Sequence, residues 1–395
     1  MNEPDARTGV IHAPRFLVEP DAFIETDEAL DGKAGAVVAR DARAMRSLRL
    51  ASAIAVRLVY VVAALALFVL ALQILKTGAA GLKPVLEGLS ANGTPGLLGF
   101  GWLGSYLVMS GSPIAAIALS LFSGGTISDT EAFAMINGSR LGASFIVLFV
   151  GFLYYIFRRR DPDSIYIGVV ALLTAFTLWT PVIPIGSLVL REGWFDGVRF
   201  GSPGALVSVV NLIYDPITTR AAHHMPRLLL FGLGVPALLG SFMLFDRVLP
   251  NLDAPSPAFE RFSRLSQHRL AMFGFGSAVT LLTMSVSLSL TILVPLTMKG
   301  YLKRQNLIPY IMGANITTWI DTLFASLLLD TPRAFTIVFT EVVVGGSVSL
   351  FVLLLVYPIY SRGVLALAHR VTADRRAFVI FMATILVVPG VLLAI

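Results

Sequence analysis

Apolar residues along this chain fall into long runs separated by short polar stretches. The runs cover roughly 51–75, 96–123, 130–157, 165–190, 226–246, 270–298, 307–329, 334–360 and 376–395. About 20 helical residues cross the hydrocarbon core of a bilayer, and most of the runs reach that length. They do not alternate with period two, which excludes an outer-membrane barrel. The pattern therefore predicts an all-α integral membrane protein. Two runs differ from the rest. The run 96–123 is broken by Ser110-Gly111-Ser112-Pro113, and 270–298 by Ser285-Val286-Ser287. Before the first run lies a polar extension, residues 1–48, acidic early (Glu19, Asp21, Glu25, Asp27, Glu28, Asp31) and basic at its end (Arg40, Arg43, Arg46). It has no apolar stretch near Met1 of the kind a signal peptide carries.

Composition narrows the class. Of 395 residues, 56% are hydrophobic and 14% charged, and none is cysteine. With a mean hydropathy of +0.80, an ordinary soluble enzyme, a disordered chain and a disulfide scaffold are all excluded. The net charge of +6 gains meaning only when mapped onto the loops, because cytoplasmic loops collect Lys and Arg. If each broken run crosses once, Arg158, Arg159 and Arg160 face outward. If each instead enters and returns as a re-entrant hairpin, Arg158–Arg160, the 247–269 loop, Lys299, Lys303, Arg304 and the 361–376 loop all face inward. Only scattered bases such as Lys83, Arg199, Arg220 and Arg333 then remain outside. The expectation is seven spans and two re-entrant helical hairpins in the cell inner or plasma membrane, with a cytoplasmic N-terminus and an extracytoplasmic C-terminus.

The chain also repeats itself at an offset of 175 residues. Gly99/Gly274, Phe100/Phe275, Gly101/Gly276, Met109/Met284, Ser110/Ser285, Ser112/Ser287, Gly125/Gly300, Ile136/Ile311 and Gly138/Gly313 coincide without a gap. Three crossings and one hairpin per copy turn the second copy upside down, the inverted-topology plan of secondary transporters. The expected organisation is a cytoplasmic extension (1–48), transmembrane repeat one (49–191), an extracytoplasmic loop (192–225), inverted repeat two (226–365) and a C-terminal transmembrane helix (366–395).

The breaks carry the candidate chemistry. Irregular backbone inside a bilayer is tolerated only where protein or a wet cavity satisfies it. A hairpin tip at mid-depth offers unpaired N–H groups and the positive end of a helix dipole, which suit an anion. Ser110, Gly111 and Ser112 from one copy, with Ser285, Ser287 and Ser289 from the other, converge by pseudo-symmetry. A second break is expected at Asn137-Gly138-Ser139-Arg140 and at Gly313-Ala314-Asn315-Ile316-Thr317-Thr318. Oxygen donors there (Asn137, Ser139, Asn315, Thr317, Thr318) suit a small alkali cation. Arg140 is a candidate anion ligand, and Asp321 a cation ligand or proton carrier; the alternative is that they pair with each other or line a wet cavity. Glu341, mid-span, is a weaker candidate that packs against a neighbouring helix. Thr180–Pro184 predicts a kink. No nucleophile–base constellation, phosphate loop or dinucleotide fingerprint is present, so neither an enzyme nor a cofactor beyond a coupling ion is expected.

At these breaks the chain resembles the sodium/phosphate cotransporter family, type II and its bacterial relatives. In that family each copy of an inverted repeat carries Gln-Ser-Ser-Ser at a hairpin tip and, downstream, Gly-Ala-Asn-Ile-Gly-Thr-Thr. Met312–Trp319 is similar to the second motif with one Gly missing, and Ile136–Ser144 is a degenerate first. Met109–Ser112 and Met284–Ser287 occupy the tips. The tip Gln is replaced by Met109 and Met284, the middle Ser by Gly111 and Val286, and the Asn of the first motif by Arg140. The resemblance implies Na+-coupled symport of phosphate or a similar small anion. Ser110, Gly111, Ser112, Arg140, Ser285 and Ser287 would hold the anion; Asn137, Ser139, Ser289, Asn315, Thr317, Thr318 and Asp321 would hold Na+. Two alternatives stay open: a carrier of a sulfonate or carboxylate, proton-coupled through Asp321, and a non-transporting receptor or subunit on the same fold. The expected partners are the solute, Na+, the lipid bilayer and a second copy in a homodimer, without nucleic acid.

Overall fold

A computed structural model describes residues 52, 55–88, 93–157, 163–198, 204–247, 268–283, 285–298, 302, 304–329 and 331–395. The extension 1–48, Arg158–Arg160, most of the 247–269 connection, Met284, Lys299 and Lys303 lie outside these residues. Two compact units are distinguished, Met1–Val59 and Tyr60–Ile395. Of the first, only Ser52 and the opening of a helix are described, and the following account concerns the second.

Among the described residues every regular element is helical. We number them α1 (Ala55–Gly81), α2 (Lys83–Gly88), α3 (Gly93–Val108), α4 (Ser112–Ser123), α5 (Asp129–Ala143), α6 (Phe145–Phe157), α7 (Asp163–Arg191), α8 (Gly204–His224), α9 (Arg227–Asp246), α10 (Arg269–Thr283), α11 (Val286–Thr291), α12 (Leu293–Met298), α13 (Leu307–Thr317), α14 (Trp319–Leu328), α15 (Pro332–Phe351), α16 (Tyr357–Ala373) and α17 (Arg375–Ala394). Seven stretches are long and apolar enough to cross a membrane: α1, α5–α6, α7, α9, α13–α14, α15–α16 and α17. This is a membrane-embedded, all-helical protein. Helix α7 runs through its middle and contributes to both apolar cores, with Trp179 and Val182 in one and Val169 and Leu172 in the other. Its Pro181 and Pro184 sit inside a continuous helix. The predicted kink segment therefore does not end the helix.

Two connections differ from their sequence-based reading. The 192–225 stretch carries α8, and the polar end expected as a 361–376 loop is helical up to Ala373. Helices α15 and α16 are joined by the π-helical turn Val352–Val356 into one stretch of 42 residues. Along its contour that is about 60 Å, roughly twice the hydrocarbon thickness, and helix stands where a loop was expected.

Both runs singled out as broken are broken at the predicted places. Helix α3 ends at Val108 in a Schellman motif. Ser110 N–H donates to the Ser105 carbonyl (3.2 Å) and Met109 N–H to that of Tyr106 (3.4 Å), with Met109 at φ 56°. Few side chains accept this left-handed conformation, which glycine usually fills. Pro113 then opens α4, where its missing N–H costs nothing. Gly104 of α3 meets Ile114 of α4 across the break; a straight helix would hold them about 15 Å apart. In the second copy α10 ends at Thr283, α11 begins at Val286, and Ile292 separates α11 from α12.

The offset of 175 residues reappears in the packing. A Cβ on Gly101 would lie 2.1 Å from the Met135 carbonyl oxygen, and one on Gly276 lies 2.1 Å from that of Tyr310. A Cβ on Gly138 would lie 2.1 Å from the Leu98 carbonyl oxygen, and one on Gly313 lies 1.9 Å from that of Phe273. Each pair, with its partners, is separated by 175 positions. Thus α3 against α5 and α10 against α13 are the same backbone-to-backbone approach, possible only without a side chain at those positions.

Candidate functional site between the two broken helices

The two breaks meet. The Ser287 hydroxyl at the start of α11 donates to the Met109 carbonyl between α3 and α4, at 3.0 Å. Beside this contact lies a cavity of about 870 Å³. Its polar wall consists of Ser110 and Ser112 from one copy, Ser285, Ser287, Thr283 and Thr291 from the other, and Asp321 from α14. The remaining wall is apolar, including Phe68 of α1, Ile146 of α6, and Phe242 and Phe245 of α9. The Ser112 hydroxyl lies beside the Asp321 carboxylate. Ser110, Ser112, Ser285, Ser287 and Asp321 thus line one space, whereas Gly111 and Ser289, grouped with the serines in the sequence-based expectation, do not.

A much smaller crevice of about 10 Å³ also borders Asp321. It is lined by Thr280, Leu281, Thr317, Thr318 and Ile320 together with Asp321. A space of this size admits one water-sized body. Asp321 Oδ2 and Thr280 Oγ1 are buried without a hydrogen-bond partner among the described residues. A carboxylate and three threonine hydroxyls around one small space suit a dehydrated monovalent cation.

The other predicted ligands are placed differently. The backbone expected to unwind at Asn137–Arg140 is helical, and α5 runs on to Ala143. Asn137 Nδ2 donates to the Phe133 carbonyl (2.8 Å), and Ser139 Oγ to that of Ile136 (2.7 Å). Such back-bonding satisfies polar side chains inside an intact helix, and Gly138 serves close packing rather than unwinding. The unwinding expected at Gly313–Thr318 is not seen either: Thr318, between α13 and α14, keeps α-helical dihedrals (φ −59°, ψ −20°), the two form one stretch of 22 residues, and Thr317 and Thr318 are back-bonded to Gly313 and Ala314. Asn315 is buried in the intact part of α13, its Nδ2 without a partner among the described residues. Ser289 is held by the Tyr310 hydroxyl (3.0 Å). Gly111 backs onto the Ser139 carbonyl, behind the cavity wall.

Arg140 is absent from the cavity lining. Its Nε donates to Glu341 Oε1 (3.0 Å) and its Nη2 to Thr322 Oγ1 (2.9 Å). Thr322 Oγ1 in turn donates to Asp321 Oδ1 (3.0 Å). A guanidinium expected to meet the solute is thus paired within the protein, and a single hydroxyl links it to the carboxylate at the cavity. Sequence reasoning gave Glu341 little weight and omitted Thr280 and Thr322. A mid-span carboxylate was the available signal for Glu341; nothing in the spacing pointed to the two threonines.

At another end of the helices, Arg333 at the start of α15 donates from Nη2 to Asp129 Oδ2 (3.0 Å) and pairs with Asp196. Asp129 opens the span that continues through Ile146. It stands about 25 Å along that helix from the cavity wall. The α5 N-terminus beside it is closed by a capping box between Ser128 and Glu131. This end is tied together by charge, and the cavity lies toward the other. Compared with known protein families, with curated proteins and with solved structures, the chain has no match in any of the three.

Proposed function

We propose that the chain is a secondary transporter carrying a small organic anion in symport with a monovalent cation, Na+ first. The observation that carries this reading is the cavity shared by Ser110, Ser112, Ser285, Ser287 and Asp321 where the two broken helices touch. Hydroxyls and the start of α4 receive the anionic head, and the apolar walls receive a hydrocarbon body. This favours a carboxylate or sulfonate over bare phosphate, the solute implied by the resemblance to sodium/phosphate cotransporters. Asp321 would repel an anion unless its charge is balanced. A cation held by Asp321, Thr280, Thr317 and Thr318 supplies that balance, so binding of each solute strengthens binding of the other.

In this reading the break at 109–111 and the one between α10 and α11 are tips of re-entrant hairpins entering from opposite leaflets, and the two copies form an inverted repeat in the cell membrane. The recurrent glycine contacts support a common unit. The Arg333 tie at the end remote from the cavity supports access from one side at a time.

Uptake into proteoliposomes tests the proposal. Labelled phosphate, an alkyl sulfonate and a short carboxylate are offered under an inward Na+ gradient or an inward pH gradient. Accumulation of an organic anion driven by Na+ is expected. Accumulation driven by pH alone would replace Na+ with a proton at Asp321. Folded protein that moves none of the three under either gradient would overturn transport and leave the receptor or subunit reading.

A further inference from the structure

Among the described residues, the buried charged side chains are Arg140, Asp321 and Glu341, and they form one connected group. Ionised together they carry one unit of negative charge in excess. Among the described residues no other charged side chain is buried with them. Helix α4, packed on α5, α14 and α15, has no charged residue. On α7, Asp163 and Arg191 stand at the termini. On α5, Asp129 and Glu131 belong to the remote end, engaged by Arg333 and by the cap. Tyr310 of α13 bonds with Ser289. Asp215, Arg220 and His223 of α8 line an open surface groove. The excess charge can be balanced by a bound cation or by a proton, and the guanidinium can cover one carboxylate or the other.

The geometry provides for both. Arg140 holds Glu341 by one nitrogen and Thr322 by another, while Nη1 has no partner among the described residues. One oxygen of each carboxylate, Glu341 Oε2 and Asp321 Oδ2, is likewise buried without a partner. Thr322 Oγ1 stands between the guanidinium and Asp321, touching both. We propose that Arg140 is an internal substitute for the coupling cation. It rests on Glu341 while a cation occupies Asp321, and turns past Thr322 onto Asp321 when the cation leaves. The empty carrier then returns with Asp321 covered by the guanidinium and Glu341 carrying a proton taken up as the cation leaves, so that no bare carboxylate crosses the membrane, and Glu341 sets how strongly Arg140 competes. This rests on the reading of Asp321 as the cation site. Arg140 and Glu341 are positioning residues here, touching neither solute.

The experiment is a Na+ titration of the purified full chain in nanodiscs, with choline replacing Na+. It is read by tryptophan fluorescence, since Trp319 lies beside Glu341, and by thermal stability. Glu341→Gln removes the resting partner of Arg140, and Na+ affinity should fall about tenfold. Arg140→Gln combined with Glu341→Gln removes the competitor, and Na+ affinity should rise about tenfold, within the usual range of coupling between sites. A purely structural pair would move both variants in the same direction or neither. Shifts of the same sign, or none, in folded protein would overturn the proposal. Should the double variant not fold, Arg140→Lys, whose shorter and unforked head competes less well, must still raise Na+ affinity, and unchanged affinity there has the same consequence. A Na+ response that persists in Asp321→Asn would instead sink the assignment of the cation to Asp321. A response lost in Asp321→Asn, without the opposed shifts, would sink only the exchange by Arg140.

Discussion

The two copies of the repeat share their packing and differ in their chemistry. At Gly101 and Gly276, and at Gly138 and Gly313, a helix backbone rests against a carbonyl with no room for a methyl group. The positions that would carry charge have diverged: Arg140 stands opposite Asn315, and Ile146 opposite Asp321. The elbows differ as well. The first is a Schellman turn feeding a 12-residue helix, whereas the second feeds α11 and α12, of six residues each. Contacts between backbones admit little variation, because any added atom must displace a neighbour. A side chain can change together with its partner, as Arg140 meets Glu341, or face a cavity, as Asp321 does, and one copy can acquire a charge that the other lacks.

The largest test of this contrast is steric. Gly101→Val and Gly276→Val should each cost more than about 3 kcal/mol or abolish folding, because overpacked backbone contacts cannot relax; the readout is melting temperature and monodispersity in detergent. Equal tolerance at both sites would remove the shared packing. Next in size, Arg140→Ala alone leaves Glu341 buried and unpaired and should cost about 3–5 kcal/mol, with most of the loss recovered when Glu341→Gln is added.

A sharper comparison lies at Gly99 and Gly274, which match in sequence but not in surroundings. A Cβ on Gly99 would lie 2.5 Å from the Pro389 carbonyl of α17, while one on Gly274 meets nothing within 4 Å. Gly99→Ala should therefore destabilise by about 1–3 kcal/mol. Gly274→Ala should be neutral or slightly stabilising, through helix propensity. The smallest effect is expected at Met109. Gly relieves the left-handed conformation there, so Met109→Gly should leave the melting temperature unchanged or raise it by the equivalent of about 1 kcal/mol.

Much of this architecture was legible in the sequence. Long apolar runs translate directly into spans, because the bilayer dictates their length. The broken runs were legible because Ser-Gly-Ser-Pro and Ser-Val-Ser interrupt otherwise apolar helices, and Gly matches at a fixed offset marked the repeated contact. The continuity of α5 was not. Asn137-Gly138-Ser139 reads as a helix breaker, yet the side chains bond back to carbonyls three and four residues earlier, and the glycine is consumed by Leu98. The pairing of Arg140 with Glu341 spans 201 positions, and no local pattern encodes a partner that distant. The cavity's apolar walls come from α1, α6 and α9, whose residues look no different in sequence from those facing lipid.

The uninterrupted stretch from Pro332 to Ala373 has a mechanical consequence. Glu341 sits near one end, and about 48 Å of helix separates it from Ala373. A tilt of roughly 5° at the carboxylate would swing the far tip by about 4 Å by the same geometry, with the turn at Val352–Val356 as the place to absorb or transmit it. An ångström-scale event beside the cavity would thus reach the aqueous phase as a lever stroke large enough for a spin label near Ala373 to register.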